Sequence, residues 1–355
     1  MNIKHLKYKN YRNLRSGVII PNKGINIIYG NNAQGKTNLL EAFWLFTGGR
    51  SFRGAKDSDL ILQGEKKSQL DLCFYSEERE QTAQIIIENG RRNAKLNGIA
   101  QKSSAGLVGK FCAVIFSPEH ISLVREGPSL RRNFIDSALC QIKPGYAALL
   151  SRYNRTLAQR NTLLKDIPHH SELIDTLEIW DEKLASYGEN IVNFRIQYIE
   201  NLSVLAKDIY GGICKNSEVL GLCYRKSAEN LKEALKKSRR DDIYSGHTGF
   251  GPHRDDIDIT INSMSARSFG SQGQKRSVVL ALKLAEAEII YRKTGERPVI
   301  LLDDVMSELD SSRQDYLLNH LNECQVFITC CEPESLKLLK NGSLFEMDCG
   351  ELLKK

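Results

Sequence analysis

With 355 residues, 41% of them apolar, the chain can bury a large core as one big domain or two coupled ones; 50 Lys+Arg against 43 Asp+Glu leave a net charge of +7, compatible with a polyanionic partner but too balanced to identify one. Nine cysteines without a CxxC pair, only Cys330 and Cys331 being adjacent, argue against a disulfide framework or thiolate metal site and read as buried small apolar residues in a reducing compartment. No apolar run approaches the roughly 18 residues of a membrane span, and MNIKHLKYKN has no apolar stretch or cleavage site, so a cytoplasmic protein without a membrane partner is expected.

The predicted elements begin with β-type runs at Ile3 to Tyr11 and Ile25 to Tyr29. The second stops at Gly30 in a Gly/Asn-rich loop, and Lys36 opens a helical pattern through Phe46: strand, loop, helix. Runs at Gln69 to Tyr75, Thr82 to Glu88, Asn93 to Leu96 and Ala113 to Phe116, with a tight turn at Asn97-Gly98, read as one partly antiparallel sheet edge. From Ile121 to Tyr244 the texture turns helical, as in Leu130 to Leu139, Tyr146 to Leu164 and Ser171 to Ala206, without a sustained heptad run. β-type alternation returns at Asp256 to Ile261, a helix is expected from Gln274 to Arg292, and strands at Val299 to Leu302 and Val326 to Thr329 close the recognisable pattern. The expectation is an α/β fold: a discontinuous head of 1–120 and 245–355 carrying a mixed sheet, with a helical subdomain, 121–244, inserted in the chain.

The octet Gly30-Asn31-Asn32-Ala33-Gln34-Gly35-Lys36-Thr37 fits GxxxxGK[ST] in the strand-to-helix context that the motif needs. Glycines let backbone N–H groups turn inward around phosphate, Lys36 reaches the outer phosphates and Thr37 ligates Mg²⁺, so ATP and Mg²⁺ are the expected cofactors; Asn38 completes the expected ATP-binding set. Pro298 to Asp304 is an apolar strand ending in two acids, and carboxyl ends of parallel strands line the ligand crevice. Asp303 is the expected Mg²⁺ ligand; Asp304, with Lys36, is the expected catalytic residue, orienting or deprotonating the attacking water. Such acids are otherwise a solvated loop or a helix cap, a reading that the upstream phosphate loop weighs against. Ser271-Gln272-Gly273-Gln274, ahead of the apolar stripe Val278 to Ile290, is either an ordinary cap or a second anion site at a helix N-terminus.

In the order phosphate loop, SQGQ, double acid and Ser307-Glu308-Leu309-Asp310, the chain resembles ABC-type ATPase heads of the chromosome-maintenance branch, and within it the RecF family. The resemblance rests on Tyr11-Arg12-Asn13, Gly30 to Ala42, Ser51-Phe52-Arg53, Phe116-Ser117-Pro118-Glu119, Arg131-Arg132 before Phe134-Ile135-Asp136, Gly251 to Asp256, Ser271 to Arg276 and Ile300 to Asp310, nearly the whole chain. It implies a head-to-tail ATP-dependent homodimer, in which Ser271 to Gln274 of one copy caps the nucleotide held by the other and Ser307 and Asp310 form the D-loop at the interface. It further implies a slow, DNA-stimulated ATPase that binds duplex DNA and single-strand/double-strand junctions. Together with RecR, and through it RecO, such a protein places RecA at gaps in DNA damage repair, replication and the SOS response.

Two departures from such heads stand out. Ile328 to Glu332, ending Thr329-Cys330-Cys331-Glu332, lacks the histidine that many cassette ATPases place near the outer phosphate, and Asp304 replaces the Glu usual in transporters; its shorter reach implies slow turnover. A transporter subunit would show LSGGQ, that Glu and that His, and a non-hydrolysing clamp would not need both Asp303 and Asp304. Arg53, Arg91, Arg92, Arg131 and Arg132 are the candidate DNA contacts, with Lys95, Arg152 and Arg155 behind them, since phosphate neutralisation dominates duplex affinity. His253 and Arg254 in GPHRDD are either a site or a turn with local ion pairing. With no helix-turn-helix or zinc module in view, any DNA preference would be for shape.

Overall fold

Leu6 and Tyr8 are buried along Asn2–Tyr11 while Lys7 and Lys9 are exposed, the period-two pattern of a strand with one face on a core. The computed structural model describes residues 1–332 and 342–354. It divides into two compact units, Met1–His120 with Leu280–Lys355, and Ile121–Val279.

The first unit holds two six-stranded sheets. One is antiparallel, in the order Leu14–Ile19, Asn2–Tyr11, Lys67–Ser76, Arg79–Glu88, Arg91–Leu96, Ile99–Gln101. The other runs Glu351–Lys354, Ser343–Asp348, Ile25–Tyr29, Val326–Cys330, Val299–Asp303, Ala113–Phe116, parallel except for its first pair. Ala113–Phe116 therefore leaves the antiparallel edge expected for it: a strand buried at all four positions needs cover on both faces, which a parallel sheet provides. The structure also adds Ser343–Asp348 and Glu351–Lys354 beyond Val326–Cys330. Leu39, Leu40 and Phe43 of the helix Lys36–Trp44 pack into a core with Ile28, Leu301 and Phe327, the Phe43 and Phe327 ring centroids 4.5 Å apart.

The second unit is built on the helices Pro128–Ile142, Tyr146–Asp166 and Leu177–Ile213, and it contains a three-stranded antiparallel sheet, one strand of which, Leu220–Arg225, lies within the 121–244 span expected to be helical. Leu220–Arg225 pairs along its length with Asp256–Ile261, which binds residues beyond 245 into this unit. The division by packing thus falls at 279/280, not at the expected 244/245. Fully buried Arg160 is compensated by Asp181 (2.7 Å), Asp242 (2.8 Å) and Thr248 (2.8 Å), tying three helices to the loop ahead of Gly251.

Candidate functional site

Gly30 follows Ile25–Tyr29 at φ 147°, and Gly35 at φ 113° precedes the helix Lys36–Trp44. A Cβ on Gly30 would lie 2.3 Å from the Met347 carbonyl oxygen, and one on Gly35 2.8 Å from the Asn13 side chain, so only glycine fits this loop. Inside the loop, the buried Lys36 ammonium donates to the carbonyls of Gly30 (2.6 Å) and Asn31 (2.8 Å). A cation held by two backbone carbonyls can exchange them for phosphate oxygens.

The parallel sheet brings the double acid to this loop. Thr37 donates to Asp303 Oδ1 at 2.8 Å, Thr329 donates to the same oxygen at 3.0 Å, and the Asp304 N–H donates to Thr329 Oγ1 at 2.9 Å. Burial raises the Asp303 carboxyl above the usual range; the Thr37 and Thr329 bonds and the Arg53 charge oppose that rise, and Asp304 adds to it. A buried carboxylate beside a threonine hydroxyl is the hard oxygen donor set that suits Mg²⁺, which takes few protein ligands. Asp304 adopts φ 52° at the strand end, and Ser307 donates to its carbonyl at 2.9 Å. Thr329, next to Cys330-Cys331, was not singled out by the sequence; no motif spacing announces it, and parallel pairing of Val326–Cys330 with Val299–Asp303 delivers it.

The loop's outer side is braced. Asn13 donates to the Ala33 carbonyl (3.3 Å) and accepts from Asn38 (2.7 Å), while Asn38 accepts from Arg53 (3.0 Å). Arg53, expected among the DNA contacts, is thus an exposed cation beside Asn38 whose charge is felt at Asp303. Gln34 accepts from Gly350 N–H at its carbonyl (3.0 Å) and from Cys349 N–H at its side chain (2.5 Å), so the turn between the last two strands rests on the loop. Where a switch histidine was missing, Cys331 Sγ donates to Asn32 (3.2 Å) and lies 4.0 Å from Lys36 Nζ. Cys331, like Cys223 and Cys349, is exposed, which corrects the reading of the cysteines as buried residues; Cys330 is buried.

Asp310 caps the helix Ser311–His320, accepting from Arg313 N–H at 3.0 Å. In the second unit, the Ser271 N–H donates to Gln274 Oε1 (2.7 Å) and the Gln274 N–H to Ser271 Oγ (3.2 Å), a reciprocal capping box at the start of Gln272–Thr294. The ordinary-cap reading therefore describes this chain taken alone. Ser271 Oγ accepts there, so its own hydrogen stays available, and Ser271 and Gln272 are exposed.

Of the expected DNA contacts, two are consumed inside the fold. Arg92 points into the core side of the sheet, paired with Asp57 and donating to the Gly49 carbonyl (2.7 Å). Arg131, 5% exposed, is bidentate on Asp256 (2.7 and 3.0 Å) and caps the carbonyls of Leu123 and Glu126 (2.9 Å each). Half-buried Arg132 donates to the Asp255 carbonyl (2.8 Å), and Arg91 is exposed. GPHRDD is a junction of the second unit: His253 Nδ1 meets Tyr153 Oη (2.6 Å) and its Nε2 the Thr248 carbonyl (3.1 Å), while Asp255 accepts from Tyr224 (2.6 Å) and Ser227 N–H (2.7 Å). A carbonyl only accepts, so Nε2 carries the proton and Nδ1 accepts from Tyr153.

The sequence profile of the RecF/RecN/SMC N-terminal domain matches residues 2–347. The DNA replication and repair protein RecF of Acetivibrio thermocellus is 43% identical over 348 residues, covering 94% of each chain. That of Ruminiclostridium cellulolyticum is 40% identical over 369 residues, covering 99% of each. A solved structure of the recombination mediator RecF with ATP, from the RecFOR pathway, superposes with a TM-score of 0.94 at 40% identity over 100% of this chain and 97% of that one. The Smc head of Pyrococcus furiosus shares the fold alone, with a TM-score of 0.57 at 18% identity.

Proposed function

We propose a function for a chain that belongs to the RecF family of DNA replication and repair proteins, an ABC-type ATPase head of the RecF/RecN/SMC group: it is an ATP-gated dimer that holds duplex DNA and resets itself by slow hydrolysis. The observation that carries this reading is the convergence of Lys36, Thr37, Asp303 and Thr329 at one glycine-built loop. Gly30 to Asn38 cradle the ATP phosphates, Lys36 neutralises the outer ones, and Thr37 with Asp303 holds Mg²⁺. When bound, Mg²⁺ supplies charge neutralisation between the outer phosphates. Asp304 orients the attacking water and accepts its proton, and its short side chain makes turnover slow.

In this reading the second copy completes the site. Ser271 to Gln274 present a helix N-terminus and a hydroxyl hydrogen to the outer phosphate, with Ser307 and Asp310 at the interface. ATP then biases a two-state equilibrium toward the closed dimer, which binds duplex DNA and single-strand/double-strand junctions, cooperates with RecR and through it RecO, and helps to place RecA at gaps. Support comes from the ATP-bound RecF neighbour and from the extent of the family match. Among the described residues no helix is long and apolar enough to cross a membrane.

Sedimentation with ATP, with and without a gapped duplex, tests this for the wild type and Ser271→Arg, which fills the second phosphate site while leaving the loop intact. ATP-driven dimers retained on DNA, and lost in the variant, are expected. A wild type that stays monomeric with ATP and ignores DNA would overturn the proposal.

A further inference from the structure

Strand register decides which side chains of the antiparallel sheet share a face. Lys7 stands opposite Asp71, Asp71 opposite Gln84 and Gln84 opposite Lys95. Two residues along, Lys9 stands opposite Gln69, and two further on Lys67 stands opposite Glu88, itself opposite Arg91. Side chains alternate between faces, so Lys7, Lys9, Lys67, Arg91 and Lys95 all project away from Leu6, Tyr8, Leu70, Leu72, Ile85 and Ala94, which are buried. All five cations are exposed, and among the described residues none has a side-chain hydrogen bond or ion pair. Of the acids on this face, Asp71 already accepts from Gln69 (2.7 Å) and Gln84 (2.6 Å), exposed Glu80 accepts from Cys73 (3.2 Å), and Glu88 lies between Lys67 and Arg91 without pairing with either.

We infer that this face is the surface of the first unit that contacts duplex DNA. The inference rests on the DNA reading above and supplies residues that it lacks, since Arg92 and Arg131 are engaged in the fold. Protection of sheet edges does not explain these lysines: the five cations sit on Asn2–Tyr11, Lys67–Ser76 and Arg91–Leu96, all interior strands of the sheet. A protein-binding hot spot would be rich in aromatics and poor in Lys, whereas four of the five cations here are lysines and Tyr75 is an exposed aromatic at one end of the face. Three steps between strands and four residues along them make a cationic patch of about 14 by 13 Å, on which phosphates of a duplex backbone can lie. Thr82, Gln84 and Asn93 add neutral hydrogen-bonding groups on the same face, suited to phosphate and sugar. Contacts from these cations to phosphate carry affinity without reading sequence.

The test measures binding of a fluorescent 30-base-pair duplex to the full chain with ATP and Mg²⁺ across a salt series. For Lys9→Gln/Arg91→Gln/Lys95→Gln the slope of log K against log salt should fall by about 2.7 and affinity at 0.1 M salt by roughly 500-fold, at ~0.9 per phosphate contact. Lys207→Gln/Lys236→Gln/Lys237→Gln, the same charge change on exposed positions of the second unit, should keep the wild-type slope, and both variants should keep wild-type ATP affinity. A wild type that binds DNA with the first variant unchanged, or with both variants equally weakened, overturns this assignment alone. A wild type that does not bind the duplex overturns the DNA reading and this face with it.

Discussion

Gly350→Ala should loosen the nucleotide loop from outside it. Cys349 (φ 45°) and Gly350 (φ 79°) form the left-handed two-residue turn joining Ser343–Asp348 to Glu351–Lys354, and their N–H groups make the two bonds to Gln34. A Cβ on Gly350 would lie 2.1 Å from the Asn13 carbonyl oxygen, a backbone atom that cannot rotate away. Alanine in a left-handed conformation costs about 1 kcal/mol, and a turn displaced by the clash gives up both bonds to Gln34, at about 1 kcal/mol each. If those ~2 kcal/mol are what holds the loop ready for phosphate, ATP affinity falls on the order of 30-fold. Titration with a fluorescent ATP analogue reads this directly, and the ATP-induced rise in melting temperature should shrink in parallel. Gly350→Asn tolerates the left-handed backbone but keeps the Cβ, so it should be as weak as Ala. ATP affinity within two-fold of wild type in both variants, whatever the loss of stability, would refute the reasoning.

Asp304→Asn should still bind ATP and dimerise, with single-turnover hydrolysis slowed at least 100-fold, because the amide cannot take the proton from water; undiminished hydrolysis would remove Asp304 from the chemistry. Exposed Cys331, bonded to Asn32 beside Lys36, should react with N-ethylmaleimide in the free protein and be shielded by ATP, while exposed Cys223 reacts either way; peptide mapping by mass spectrometry decides. Burial lowers His253 to about 4 from 6.5. The unfolded chain therefore binds a proton there that the folded one refuses. Above pH 6.5 the residue's contribution is flat; between 6.5 and 4 stability falls by about 1.4 kcal/mol per unit, ~3 kcal/mol in all. Urea unfolding at pH 7, 6 and 5 should show that part of the slope lost in His253→Gln, and an identical slope would refute the assignment.

The Gly30 to Thr37 loop between a strand and a helix, the double acid at the end of its strand and most strands with strong alternation were legible because each is a local pattern. GxxxxGK[ST] needs its glycines within eight residues, and Ile25 to Tyr29 and Ala113 to Phe116 announce themselves by composition. Leu220–Arg225 was not legible: its burial is mixed along the strand, so it carries no period, and it exists because Asp256–Ile261 pairs with it. The same holds for Ser343–Asp348, placed by parallel pairing with Ile25–Tyr29. Arginines were the least legible residues. Arg92 and Arg91 are neighbours in sequence, but alternation along one strand turns Arg92 toward Asp57 in the interior and leaves Arg91 in solvent.

What the sequence determined by itself is the chemistry available at the loop, since residue types at fixed short spacing set which groups can meet phosphate, and enough spaced motifs to place the chain in its family. What only the tertiary structure decided is which distant groups share that site and which charges remain free. Thr329 reaches Asp303, the Cys349-Gly350 turn reaches Gln34, and Arg131 is spent on Asp256 across 125 positions of sequence. Those outcomes depend on strand order, register and burial, which arise from packing the whole chain against the entropy of its long loops, and no local window of sequence contains them.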